Sequence, residues 1–589
     1  MKNNIPKPLV EKIKYDSVSL KKFENKLVSS HDNKEDEILF RYPTIYIVND
    51  KYKQGKGSKK IKNNEYSVYV GETNDIKRRT NEHLLVDSKN EEFWQKIKDS
   101  SNSEMFLIGH EHFNKSLTLD LENRLMHYMS GIEAVKSISN KRTNQQNKYY
   151  TSDELDTIFE KLWAELRNKK QDLFPSINVI KDSAIFKSSP FQKLTLEQFE
   201  AKDQIIAKIE ENLNREKSGQ LIWVTGEAGT GKTVLLSNLF YELYKSAAEN
   251  SDNVILRNKT VSLLVNHDEQ VKVYQQIASK LGMVDDNNPE MVTKPTHFIL
   301  NHTPEEKIDV VLVDEAHLLW TQGKQSYRGK DQLTDLLNRA RVVVAVFDPS
   351  QILTTEEYRS LDWIQKSKLN AISHNNYIKL ENQMRIHGNK ETVNWIRTLV
   401  DESTIKNIPR DDSFDLKILK TPHDLLKAIK TKAKDEKNGI SRLLATFDWK
   451  YVNGKKDENG NLWQVTVGDF SMPWNLQISA PAKIKELPWA EQPQTIDEIG
   501  STFTIQGFDL NYAGVIIGPS VKYRNGKIIF DKKASKNRKA TQKRNGKIDN
   551  SQEFLKNELN VLLTRGVNGL YIYAVDKELQ NQLLKAQGE

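Results

Sequence analysis

Hydrophobic residues follow two rhythms along this chain. In the first, short unbroken apolar runs alternate with stretches of helical spacing: LIWV (221–224), VSLLV (261–265), VVLV (310–313) and VVVAVF (342–347). Runs this short with no polar face match strands buried on both sides of a parallel sheet. RLLATF (442–447), AGVIIG (513–518) and LYIYAV (570–575) repeat the pattern later. The rhythm predicts two parallel-sheet α/β lobes, the first over 195–370 and the second over 371–589 with insertions.

Before residue 195 the rhythm is different. TIYIVND (44–50) and YSVYVGE (66–72) read as strands around KYKQGKGSKKIKNNE (51–65), a loop rich in Lys, Gly and Asn. Residues 73–85 have helical spacing, with Thr73 or Asn74 as N-cap, and 117–129 place Leu117, Leu121 and Leu125 at steps of four. These elements predict a small mixed α/β module over 41–150. Residues 1–40 are charge-dense with no clear period, an extension that either packs as helix or stays mobile. A helix over 153–169 and a Pro- and Ser-containing stretch make 151–194 a helical linker.

Composition narrows the class. At 589 residues the chain has room for about four domain-sized units. Lys and Arg number 88 against 80 Asp and Glu, so the partners expected are anionic. The absence of cysteine removes disulfides, thiolate zinc sites and cysteine nucleophiles. Apolar runs such as Val342 to Phe347 fall well short of the ~20 residues a membrane span needs. The start, MKNNIPKPLVEKIKY, has no apolar signal core. The expectation is a cytoplasmic multidomain protein with no membrane partner; the sequence leaves its oligomeric state open. Residues 521–547 hold 11 basic residues and one acid, either a solvated loop or one that grips phosphates.

One segment carries chemistry on its own. GEAGTGKT (226–233) follows the strand LIWV and opens a helical pattern. Average residue frequencies give roughly 0.02 chance matches to GxxxxGK[ST] in a chain of this length. Gly226, Gly229 and Gly231 let backbone N–H groups close around phosphates, and the helix N-terminus adds positive potential. Lys232 would reach the β- and γ-phosphates of ATP and Thr233 would ligate Mg²⁺. VVLVDEAH (310–317) delivers two acids to the carboxyl end of a strand about 80 residues on. Asp314 would hold Mg²⁺ through water and Glu315 would polarise the attacking water.

Further segments follow in order: VNHDEQVKVYQQIASKLG (265–282), KPTHFI (294–299), TQGKQSYRG (321–329), FDPSQIL (347–353), LENQMRI (380–386), RLLATFDWKY (442–451), GSTFTIQGFDLNYAGVIIGPS (500–520) and NVLLTRG (560–566). Together they resemble the Schlafen-type helicase domain of superfamily 1 found in bacterial proteins, over about 190–580. The letters Asp-Glu-Ala-His also name another helicase superfamily, but NQMR and TIQGFD favour superfamily 1. The resemblance implies two RecA-like lobes. It makes Gln198 the adenine-reading glutamine and Gln351 a γ-phosphate sensor coupling the lobes. Arg385 and Arg565 become the arginines that reach the γ-phosphate from the second lobe, where a guanidinium stabilises transition-state charge once the lobes close. Thr504, Gln506 and Gly507 resemble the motif linking nucleotide to the bound strand.

In the N-terminal module, TIY (44–46), YVG (69–71), Arg79, His83, Glu122 and Asn140 resemble the GIY-YIG endonuclease family, over about 41–145. Arg79 and His83 stand one turn apart on one helix face. The resemblance implies that Glu122 holds a single divalent metal, Mg²⁺ or Mn²⁺, and that Tyr46 or Tyr69 acts on the nucleophilic water with His83 assisting. Arg79 would bind the scissile phosphate. Two features depart from the family: Thr44 replaces the first glycine, and 22 residues separate Tyr46 from Tyr69, about twice the usual spacing.

The function these resemblances imply is a nuclease-helicase. An ATP-hydrolysing motor would work with a metal-dependent endonuclease that nicks or cuts nucleic acid, DNA ahead of RNA. The bacterial proteins it resembles suggest defence against phage or other foreign DNA. Two alternatives stand beside it: an ATP-dependent sensor or remodeller whose N-terminal module binds without cutting, and an RNA-directed nuclease-helicase.

Overall fold

The computed structural model describes residues 5–29, 33–51, 65–140, 149–284, 290–324, 326–482, 484–485, 487–544 and 548–588. Residues 52–64 of the expected Lys- and Gly-rich loop and 545–547 of the basic segment lie outside the described residues. The chain divides into two compact units, Met1–Lys193 with Val273–Pro289, and Leu194–Lys272 with Glu290–Glu589.

The first unit is built on a five-stranded sheet of β1 (Leu9–Lys14), β2 (Thr44–Lys51), β3 (Tyr66–Thr73), β4 (Glu104–Gly109) and β5 (Val135–Ile138), in the order β1-β4-β2-β3-β5. Only β3 and β5 run parallel. Tyr46 pairs directly with Gly71 across β2 and β3, which brings the two strand motifs together. The described part of the first forty residues, expected as an extension, belongs to this unit. LVEKIK supplies the edge strand β1, and Leu20, Leu27 and Leu39 from the helices Ser17–Ser29 and Asn33–Phe40 enter its core. The expected linker is likewise part of the unit. The helix Leu155–Lys169 buries Ile158, Phe159, Leu162, Trp163 and Leu166, and Phe174 stacks edge-on against Phe106 of β4 at 5.2 Å. That apolar stripe is too wide to leave in water.

Asp75 caps the helix Ile76–Leu85 by accepting from Arg78 N at 3.0 Å, in place of Thr73 or Asn74. Thr73 Oγ1 instead receives the Asp75 N–H at 3.0 Å, one residue pair upstream of the cap.

The second unit holds two all-parallel sheets. The first sheet contains β6 (Gln220–Gly226), β7 (Val261–Val265), β8 (Val292–Thr293), β9 (Ile308–Asp314), β10 (Ala340–Phe347) and β11 (Tyr377–Leu380), in the order β11-β6-β10-β9-β7-β8. Since β11 pairs with β6, the first lobe extends past the expected boundary at 370. The second sheet contains β12 (Asp415–Ile418), β13 (Ser441–Ala445), β16 (Ile499–Gly500), β17 (Leu510–Ile517) and β20 (Gly566–Ala574), in the order β12-β20-β17-β13-β16. Two hairpins are inserted, β14 (Gln464–Val467) with β15 (Phe470–Pro473) and β18 (Val521–Arg524) with β19 (Lys527–Phe530). β6, β7, β9, β10, β13, β17 and β20 coincide with the predicted apolar runs, and β7 and β13 have no exposed position; β8, β11, β12 and β16 are additional short strands.

The basic segment 521–547 is a strap in its described part, rather than a loop. After the β18–β19 hairpin, the short helix Arg538–Thr541 reaches the first lobe. Ala540 enters the core cluster of the first sheet, and Lys539 O accepts from Thr355 N at 3.0 Å. Arg544 donates to Thr321 Oγ1 at 2.7 Å, to Tyr358 O at 2.8 Å and to Thr321 O at 2.8 Å.

Candidate functional site

The carboxyl ends of β6, β9 and β10 converge in the second unit. The chain turns out of β6 through 226–231 and enters the helix Lys232–Ser246 at Gly231. Gly229 has φ 91°, and a Cβ there would fall 2.6 Å from Arg385 Cβ, so this turn demands glycine on both backbone and space. Lys232 is buried and donates to Gly226 O at 2.7 Å and Glu227 O at 2.8 Å, with Asp348 Oδ2 3.4 Å away. Burial alone would raise the Asp348 carboxyl; Lys232, His317 and donors from Ser350 and Gln351 overcome it and hold the pKa at about 2.

Asp314 ends β9 and accepts from Gln270 Nε2 at 2.8 Å. Glu315 follows in left-handed backbone, φ 47°, a conformation that non-glycine residues keep chiefly at functional sites. Its Oε2 lies 3.4 Å from His317 Nε2. Glu315 Oε2, both His317 ring nitrogens, Gln270 Oε1 and Arg385 Nη1 are buried without a hydrogen-bond partner among the described residues. Such a cluster of orphaned polar atoms around a glycine-lined turn fits a polar, anionic ligand with a cation. Thr233 stands one residue into the helix.

Residues from the second sheet close on the same place. Arg385 pairs with Asp509 at 2.6 Å. Arg565, fully buried, donates to Gln351 Oε1 at 3.1 Å, Val561 O at 2.9 Å and Phe508 O at 3.3 Å. Burial first, then the like charge of Arg385, pulls the Arg565 guanidinium down to about 10, so an anion between the two arginines would be favoured. Gln506 Nε2 donates to Gln351 O at 3.3 Å, and Gln270 lies against Gly507. Thr504 closes a capping box with Ser501. Gln198 is buried beneath the turn: its Oε1 accepts from Thr195 N at 3.0 Å and its Nε2 donates to Thr230 O at 3.2 Å. The sequence reading had not singled out Asp348, Gln270, His317 or Asp509. All four lie inside quoted segments, Gln270 in VNHDEQ, His317 in VVLVDEAH, Asp348 in FDPSQ and Asp509 in TIQGFD, but only the fold brings them to one site.

In the first unit, β2, β3 and two helices place the other set. Tyr46 and Tyr69 stack at 5.8 Å between ring centroids. Gly71 lies over them, since a Cβ there would meet Tyr46 Oη at 2.6 Å and Tyr69 Cε1 at 2.7 Å. Tyr46 Oη is hydrogen-bonded to His83 Nε2 at 2.9 Å, and His83 Nδ1 to Asp87 Oδ2 at 2.7 Å. Burial, with Tyr69 beside it, pushes the Tyr46 phenol well above its ordinary range. Burial also raises Tyr69, against the opposing charge of Arg79. Arg79 pairs with Glu82 at 3.0 Å. Glu122, buried on the helix Lys115–Ser130, accepts from Asn140 Nδ2 at 2.7 Å, and the same amide donates to Val70 O at 2.6 Å. Asn140 thus ties Glu122 to β3 at the residue after Tyr69. Among the described residues no group of three His, Cys, Asp or Glu could hold a metal. A divalent cation on Glu122 would take its remaining ligands from water and phosphate, as Mg²⁺ commonly does. Asp87 and Trp94, which stacks on His83 at 3.6 Å, are further members that no motif letter marked.

No helix among the described residues is long and apolar enough to cross a membrane. Solved structures similar to the chain include an arterivirus nonstructural protein 10 helicase, 11% identical with TM-score 0.26, where the match covers 64% of each chain. The structure of that protein with DNA has TM-score 0.26 at 11% identity, covering 64% of this chain and 65% of that one. An uncharacterized protein of Saccharomyces cerevisiae is 35% identical over 435 residues, which cover 67% of this chain and 90% of that protein. The family model for the Schlafen group 3 DNA/RNA helicase domain matches residues 219–576, from β6 through the strand that carries the end of the second sheet. On that match, over more than half its length, the chain belongs to the Schlafen group 3 DNA/RNA helicase domain family.

Proposed function

We propose that this helicase-domain protein is a nuclease-helicase: a superfamily 1 ATP-driven translocase or helicase joined to a metal-dependent GIY-YIG endonuclease that cuts DNA. The observation that carries the motor half is the meeting of Lys232, Asp348, Gln351 and Arg565 between two parallel sheets. Lys232 and the backbone of 226–231 bind the phosphates, Gln198 supports the turn beside the base, and Glu315 orients the attacking water. Thr233 and Asp314 would hold Mg²⁺, which supplies charge neutralisation to the phosphate oxygens. Arg385 and Arg565 stabilise charge on the γ-phosphoryl group, so hydrolysis is tied to lobe closure.

The nuclease half is supported by the Tyr46–His83 hydrogen bond beside Arg79 and the Glu122–Asn140 pair. Arg79 binds the scissile phosphate, a tyrosine of the stacked pair acts on the nucleophilic water, and Asn140 holds the Glu122 carboxylate in place. A divalent metal on Glu122 would supply Lewis acidity to the phosphate. The proposed units of this machine are the module of 41–150, extended on both sides, and the two lobes. Defence against phage or other foreign DNA is the setting that the bacterial resemblance suggests for it.

Cleavage of supercoiled plasmid with Mg²⁺ or Mn²⁺, with and without ATP, tests this for wild type, Glu122→Ala and Lys232→Ala. Nicking that disappears with Glu122→Ala supports the nuclease, and its response to Lys232→Ala tells whether the motor drives or restrains cutting. No cleavage under any condition with ATPase intact supports the sensor reading instead. ATPase stimulation by single-stranded DNA against RNA separates the two substrates.

A further inference from the structure

We propose that Asp87 is a positioning residue of the nuclease centre, fixing the tautomer of His83 so that Tyr46, rather than Tyr69, passes its hydroxyl proton inward. The inference rests on the nuclease reading above for its catalytic meaning, though its structural content stands apart from it.

Three groups form a line: Tyr46 Oη, His83 with both ring nitrogens engaged, and Asp87 Oδ2, joined at 2.9 Å and 2.7 Å. A carboxylate oxygen only accepts, so the hydrogen between His83 and Asp87 belongs on Nδ1. In the neutral ring Nε2 then carries the lone pair, and Tyr46 donates to it. The ring cannot turn to escape this arrangement. It is buried and lies flat on Trp94, with centroids 3.6 Å apart and planes at 16°, while Tyr69 meets it edge-on at 5.1 Å. Asp87 is equally fixed, at the head of the 3-10 turn Asp87–Lys89, where its carbonyl accepts from Asn90 N at 3.0 Å and Glu91 N at 2.8 Å. The same Asp87 oxygen lies 3.7 Å from Arg79 Nη1, so one carboxylate orients both the phosphate-binding arginine and the histidine.

The consequence separates the two tyrosines. A neutral phenol can take a proton from water only if its own proton leaves. Tyr46 has that exit directly through His83 Nε2; Tyr69 meets the imidazole only edge-on between rings and reaches its nitrogen through the Tyr46 hydroxyl. In the step, water gives a proton to Tyr46 Oη as Tyr46 gives its own to His83, and the water oxygen bonds to phosphorus. The P–O bond to the leaving sugar oxygen breaks, that oxygen takes a proton from solvent, and His83 returns its proton to solvent. One water is consumed and Asp87 stays ionised throughout, opposite the imidazolium.

Two measurements on the full chain test this. Uniformly ¹⁵N-histidine-labelled protein, with His83→Ala to assign the signal, should show Nδ1 protonated and Nε2 unprotonated, and Asp87→Asn should shift the population toward the Nε2–H form. An Nε2–H ring in the wild type, or no change in Asp87→Asn, overturns the proposal whether or not the protein cuts DNA. In plasmid cleavage, Asp87→Asn and Tyr46→Phe should each lower kcat by roughly 100-fold, the usual size of a general-base contribution, with KM unchanged in Tyr46→Phe. An Asp87→Asn enzyme as fast as wild type overturns the proposal while leaving the nuclease reading in place. A wild type as inert as Glu122→Ala removes the nuclease reading, and the tautomer measurement then decides the placement of Asp87 alone.

Discussion

Arg565, from the far end of the second lobe, donates to the side-chain oxygen of Gln351 at 3.1 Å, and the amide of the same glutamine donates to Asp348 at 2.7 Å. Asp348 in turn faces Lys232 at 3.4 Å. Lys232 and an arginine of the other sheet are thus ends of one buried polar chain. A ligand that draws Lys232 away from Asp348 changes what Gln351 and Arg565 meet. Such chains are felt together, so their mutations should not add. Gln351→Ala and Arg565→Lys are each expected to lower ATPase kcat, and the double variant to fall short of the sum by about 0.5–3 kcal/mol of transition-state free energy. Additive losses in steady-state ATPase assays would show that the two act independently.

Gly229→Ala is expected to abolish nucleotide binding while leaving most of the fold intact. The residue sits at φ 91° and its Cβ would press on Arg385. Left-handed backbone costs a β-carbon about 1–2 kcal/mol before any clash is counted. The turn would relax by moving the backbone N–H groups proposed to bind phosphate. Binding of a fluorescent ATP analogue, read beside circular dichroism, checks both halves of this expectation.

What the sequence revealed, and what it hid, has a physical pattern. The central strands were legible because each is buried on both faces, leaving unbroken runs such as VVVAVF. The edge strand β1 was not, because LVEKIK has one face in water and only Val10 fully buried, so its charges masked its period. Four-residue strands such as β11 are too short to show a period at all. The phosphate turn was legible because its chemistry is local, glycines and a lysine within eight residues. Asp348, Gln270 and Asp509 share a site with that turn only through strand order. Asp87 escaped for another reason: an i, i+4 carboxylate below a histidine is a frequent helix-surface pair, and the burial of His83 against Trp94 is a tertiary fact.

The strap of 521–544 leads to an expectation about lobe association. Arg544 makes three hydrogen bonds to Thr321 and Tyr358 of the first lobe. Arg544→Ala leaves two carbonyls without that donor and is expected to cost about 2 kcal/mol, read as a lowered unfolding midpoint. Lysine carries the charge but lacks the planar fork, so Arg544→Lys should recover less than half of the loss. The exposed Lys527, Lys533, Lys536, Arg538 and Lys543 make none of these lobe contacts. Neutralising those five should instead flatten the salt dependence of nucleic-acid binding, and an unchanged slope would show that the strap serves the lobes alone.

The pH dependence of stability has a definite sign at Glu558. This residue is buried in the helix Ser551–Leu563, where its carboxyl faces Phe447 N and Asn537 Nδ2. Burial, reinforced by the negative charge of Asp448, pushes its pKa up to about 8. In the unfolded chain a glutamate titrates near 4.3. Between those values the folded state holds a proton that the unfolded state has released. The stability this gives is fully present below about pH 4 and is lost as pH rises to about 8. Glutamine at 558 keeps the shape and the acceptor oxygen but cannot ionise, so its stability should not fall across that window. Thermal unfolding of wild type and Glu558→Gln from pH 5 to pH 9 is expected to give curves that diverge with rising pH. The variant gains on the wild type by an amount on the order of 4 kcal/mol at the alkaline end. Parallel curves would mean that Glu558 is ionised in the folded protein and that the Phe447 and Asn537 donors outweigh its burial.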